Sequence, residues 1–94
     1  MRMETGHLEI PDDLKARYLE RRRKDVPTLE EAVRSSDFVV MERIGHQIKG
    51  NAVSFGYPEL ESIGRDMENA ARDENLAELK KQFDVFKAWV QAQA

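Results

Sequence analysis

The chain has 94 residues, 40% hydrophobic and 35% charged, with a net charge of −3 and no cysteine. That length suits one domain around a single modest core. The mild acidity argues against nucleic acid as the main partner, and the lack of cysteine excludes disulfides, thiolate nucleophiles and cysteine zinc sites.

No apolar run approaches the ~18–20 residues that cross a bilayer, and "MRMETGHLEI" lacks the apolar centre of a signal peptide. The expected location is therefore the cytoplasm, with no membrane association. Residues 1–10 read as a flexible N-terminus and 11–94 as a single bundle.

The first helix is expected from "PDDLKARYLERRRKDVPTLEEAVR", with Pro11 at its first position and Asp12 and Asp13 on the favourable end of the dipole. Leu14, Tyr18, Val26, Leu29 and Val33 keep one apolar face in phase. That phase continues across Pro27, which removes a backbone donor and crowds the Arg23 carbonyl. The alternatives are one kinked helix or two near-collinear ones. The run Arg21 to Lys24 spreads around the helix and reads as a solvated face among acidic neighbours.

"SSD" (Ser35 to Asp37) supplies capping side chains for a second helix. Its stripe is Met41, Ile44, Ile48 and Phe55, with Ala52 at the edge and Gly56 as a left-handed stop. Pro58 opens a third helix with Leu60, Ile63, Met67 and Ala71 inward. Asp73 is the expected cap of a fourth, whose seam is Leu76, Leu79, Phe83, Phe86 and Val90. Trp89 reads as bundle packing. Short connections make successive helices antiparallel, so the fold class is all-α, an up-and-down four-helix bundle.

Within the second helix, "GHQIKGNAVSFG" holds three of the five glycines. An interior helix glycine costs about 0.8–1 kcal/mol relative to alanine, so these positions need a reason. At about 100° per residue, Met41, Ile48 and Phe55 lie within about 60° of Ile44, whereas His46 lies about 200° away. His46 is thus expected outside the apolar stripe. Lys49 and Gly50 follow it at the spacings where helical side chains meet. Val39 and Val53 share its outward face and suggest a small docking patch; scattered exposed valines are also ordinary.

A histidine ordinarily titrates near pH 6.5 and keeps a lone pair when neutral, so an exposed imidazole can act as a nucleophile toward phosphorus. Lys49 would offset phosphoryl charge, and Gly50 leaves a partner loop unobstructed. Gly45 faces nearer the core and suits close helix packing, while Gly56 ends the segment.

These residues resemble the signature of the histidine-containing phosphotransfer (HPt) family, H-x-[LIM]-K-G-x(5)-G, with His46, Ile48, Lys49, Gly50 and Gly56 in register. "SSDFVVMERIGHQIKG" resembles the turn and helix that carry the family's histidine, and "YPELESIGRDMENAARDENLAELKK" its following helical pair. The resemblance implies a phosphorelay carrier rather than an autonomous enzyme. His46 would take a phosphoryl group from a receiver-domain aspartate and pass it to another receiver, with Lys49 beside the group and Gly50 giving clearance. Partners would be response-regulator receiver domains and a histidine or hybrid kinase. No cofactor would be bound by this chain, and Mg2+ would sit on the receiver. A hairpin near Gly56 would set Met67 and Glu68 opposite His46; Glu68 could orient the ring, yet would repel a phosphoryl group if too close. Pro27 departs from the family's uninterrupted first helix.

Gln47, where an acidic residue usually follows the histidine, sets the chain apart from a kinase dimerisation helix. No metal site is expected, because His7 and His46 are the only histidines and Glu42 with His46 makes a single pair. The alternative function is a helical interaction module without phosphotransfer. A monomer is expected, since one bundle consumes all four stripes.

Overall fold

The computed structural model describes residues 10–93. Among these residues there are four helices, α1 (Asp12–Ser35), α2 (Phe38–Asn51), α3 (Glu59–Arg72) and α4 (Leu76–Ala92), and no strand. They form the expected antiparallel bundle. Helix α1 packs on α2 and α4, and α3 packs on the same two, with α2 and α3 the most intimate pair. Leu29, Met41, Ile48, Leu60, Met67, Leu79 and Phe86 form the sealed centre. The expected flexible N-terminus and His7 lie outside the described residues, except Ile10, which is half-buried beside Gly56.

Helix α1 runs as one element through Pro27, so a split into two helices does not occur. Three helix starts differ from expectation. Pro11 is the cap of α1, in extended conformation, and its carbonyl accepts from the amides of Leu14 and Lys15. Pro58 likewise stands just before α3, although its backbone is already helical. Asp73 ends α3 instead of opening α4, because Glu74 adopts a left-handed φ of 53° and turns the chain. The cap of α4 is Asn75, whose side chain accepts from the Glu78 amide at 3.1 Å. Asp37 caps α2 as the "SSD" segment suggested, accepting from the Val40 amide at 3.2 Å.

Three apolar or charged positions also move. Phe55 lies past the end of α2, in a run of hydrogen-bonded turns, rather than on its stripe. Freed from helical phase, its ring stacks on Tyr18 with centroids 4.8 Å apart and planes 9° apart. Leu14 is 39% exposed, bordering a groove with Tyr18 and Phe55 instead of entering the core.

Arg22, expected on a solvated face, is buried. Its guanidinium lies 4.9 Å from the Tyr18 ring centroid, and its Nε stands 2.9 Å from the Asp25 carboxylate. Burial pushes the Asp25 carboxyl above its usual pKa, with Arg22 opposing. Trp89 packs edge-on against Tyr57 and donates its indole N–H to Glu59.

Candidate functional site

The site begins with two glycines that let two helices touch. A Cβ at Gly45 would lie 2.8 Å from the Glu68 amide nitrogen and 2.9 Å from the Gly64 carbonyl. A Cβ at Gly64 would lie 2.6 Å from the Lys49 amide nitrogen. No alanine fits at either position without parting the backbones, so α2 and α3 meet at a distance only glycine permits. The packing role expected of Gly45 is therefore seen together with its partner, Gly64, which the sequence reading did not single out.

That contact sets Glu68 within one side chain's reach of His46. The imidazole Nδ1 is 2.8 Å from Glu68 Oε2, across helices. The two groups differ sharply in environment: the His46 side chain is 66% exposed and that of Glu68 only 3%. A buried carboxylate needs partners, and Glu68 has three. Oε2 also accepts from the Arg72 guanidinium at 2.9 Å. The Lys49 ammonium lies 2.7 Å from Oε1, an ion pair at an angle poor for a hydrogen bond.

The Lys49 contact foremost, with His46 adding to it, outweighs burial and holds the Glu68 carboxyl below its ordinary pKa. At neutral pH Glu68 is thus an ionised acceptor. It accepts an N–H from Nδ1, so in the neutral ring the hydrogen is on Nδ1 and the lone pair on Nε2. Lys49, expected beside a phosphoryl group, is seen here on Glu68.

An open cleft of about 500 Å3 flanks the ring, lined by Val39, Glu42, Arg43, His46, Gln47, Glu68 and Arg72. Arg72 spans it, placing its Nε 3.3 Å from Glu42 on α2. The two valines separate: Val39, 76% exposed, borders the cleft, whereas Val53, 54% exposed, lies in the turns after α2 and does not line it. A Cβ at Gly50 would meet nothing within 4 Å, so that position faces open space. Gly56 has the expected left-handed φ, +89°, but it closes the turns after α2 and not the helix itself, which ends at Asn51 with Ala52 as a right-handed cap. Among the described residues no group of three or more acidic, histidine or cysteine side chains is arranged to hold a metal.

Arg72 escaped the sequence reading. Its only signal there is the i, i+4 spacing from Glu68, which acquires meaning once α3 is registered against α2.

The Hpt domain family model matches residues 13–94, nearly the whole chain. The chain belongs to the Hpt-domain family. Hpt domains are phosphocarriers of two-component signalling, moving phosphoryl groups on histidine in concert with receiver domains and kinases, and are not enzymes in the usual sense. The four-helix bundle of this Hpt domain is the family's fold. No curated protein and no solved structure matches the chain significantly. No helix among the described residues of the Hpt domain is long and apolar enough to cross a membrane.

Proposed function

We propose that His46 is the phosphorylated residue of a cytoplasmic phosphorelay carrier, taking the phosphoryl group from the aspartyl phosphate of one receiver domain and giving it to the aspartate of another. The observation that carries this reading is the pairing of an exposed imidazole with a buried, ionised carboxylate on Nδ1. In the forward step the Nε2 lone pair forms a bond to phosphorus. The bond from phosphorus to the aspartyl oxygen breaks, and its electron pair returns to the aspartate. The ring then carries N–H at Nδ1 and phosphoryl at Nε2 and is formally cationic, a charge Glu68 offsets at 2.8 Å. Transfer onward is the reverse, with the second aspartate as nucleophile.

The receiver supplies Mg2+ and acidic residues, consistent with phosphoryl transfer that works through positioning and charge stabilisation. Lys49, a flexible point cation, is the expected phosphoryl neighbour. Gly50 gives the receiver an unobstructed approach, and Val39 offers it an apolar contact at the cleft, with Val53 further along.

The test is to treat the protein with a phosphorylated receiver and, separately, with phosphoramidate, alongside His46→Ala. Acid-labile label on the wild type alone is expected. Label on neither protein would favour the alternative, a helical binding module without phosphate chemistry.

A further inference from the structure

We propose that Glu42 is a positioning residue for the phosphoryl group, holding Arg72 at the edge of the His46 cleft in the resting protein and competing with the phosphoryl group for that arginine afterwards. This rests on His46 being the phosphorylated residue.

The cleft is lined by two carboxylates, Glu42 and Glu68, and Arg72 bridges them, at 3.3 Å and 2.9 Å respectively. The two bridges are unequal. The Glu68 side chain is 3% exposed and cannot give up its cations without leaving a buried charge uncompensated. That of Glu42 is 41% exposed and that of Arg72 57%, so their pair is a weak surface contact that water can replace.

A phosphoryl group on the ring brings roughly −1 to −2 charge and three strong acceptor oxygens into the same cleft. Of the cations near Glu68, Lys49 sits on Oε1 and helps keep that buried carboxylate compensated. Arg72 is the one with a cheaply released second partner. Its guanidinium can leave Glu42 and meet phosphoryl oxygens as a planar, two-pronged donor. Glu42 stands one helical turn before His46 and faces the same cleft, so it sets how completely Arg72 commits. An arginine shared with Glu42 holds the phosphoryl group less firmly and leaves it ready for the next receiver.

The experiment charges the protein with phosphoramidate, removes the donor, and follows loss of acid-labile phosphate from the wild type and from Glu42→Gln, Glu42→Asp, Arg72→Gln and the Glu42→Gln/Arg72→Gln double variant. Helical circular dichroism verifies that each is folded. Glu42→Gln is expected to retain the phosphoryl group on the order of threefold longer, the scale of one weak exposed charge pair. Glu42→Asp restores near wild-type loss, Arg72→Gln loses phosphate faster, and the gain from Glu42→Gln disappears in the double variant.

A wild-type lifetime for Glu42→Gln overturns the proposal, as does an equal gain in the double variant, which would mean that Glu42 acts without Arg72. Absence of label from the wild type is a different result: it removes the phosphocarrier reading and this proposal together.

Discussion

At His46 the chemistry is set from another helix. A lone exposed imidazole exchanges its hydrogen between the two ring nitrogens; the carboxylate of Glu68, 2.8 Å from Nδ1, favours the hydrogen there. Glu68→Gln keeps the shape and an acceptor oxygen but loses the charge that favours Nδ1–H and offsets the phosphorylated ring. Transfer from a phosphorylated receiver should slow on the order of tenfold, the scale of one charged hydrogen bond, with receiver affinity little changed. Rapid-quench kinetics beside a binding titration would separate the two effects.

The lowered pKa of Glu68 also has a stability consequence. Its folded pKa lies below the unfolded value, so its contribution is present above the ordinary value of 4.5 and is lost as pH falls through the folded one. Urea midpoints of the wild type should therefore drop on acidification below about pH 4.5, and part of that slope should vanish in Glu68→Gln. The histidine, Lys49 and Gly50 were legible because they share one helix with fixed spacings. Arg72 was not, because its place depends on how α3 is registered against α2.

Among the elements, the α2–α3 pair carries the site, and its closeness comes from Gly45 and Gly64. Gly64→Ala would drive a Cβ to 2.6 Å from the Lys49 amide nitrogen, so the helices must part. We expect a loss of about 1–3 kcal/mol in chemical denaturation, the usual cost of overpacking, accompanied by weakened His46–Glu68 contact. Gly50 behaves oppositely, since its Cβ would meet nothing. Gly50→Ala should leave the fold intact and stabilise it by up to about 0.8 kcal/mol, while slowing transfer to a receiver and sparing phosphorylation by phosphoramidate.

The apolar stripes of α2, α3 and α4 were readable from periodicity because burial and helix phase coincide along most of their length. Periodicity failed at Phe55, where α2 had already ended, and at Leu14 in the first turn of α1, which borders an open groove. The cap of α4 was misplaced by two residues because either Asp73 or Asn75 can cap, and the left-handed turn at Glu74 decides between them.

Over the whole molecule, the bundle holds the His46 ring exposed on α2 against a buried carboxylate on α3. Its overall class was legible because four phased stripes joined by short connections leave few other architectures. The burial of Arg22 was not, since four consecutive basic residues resemble a wet surface until Tyr18 and Asp25 are placed around one of them. The most direct measurement of the central claim is phosphorus–proton correlation NMR on the protein charged by a phosphorylated receiver. The arrangement of Glu68 predicts a single phosphohistidine, at Nε2 of His46. Phosphorus on Nδ1, on another residue, or nowhere in the chain would contradict it.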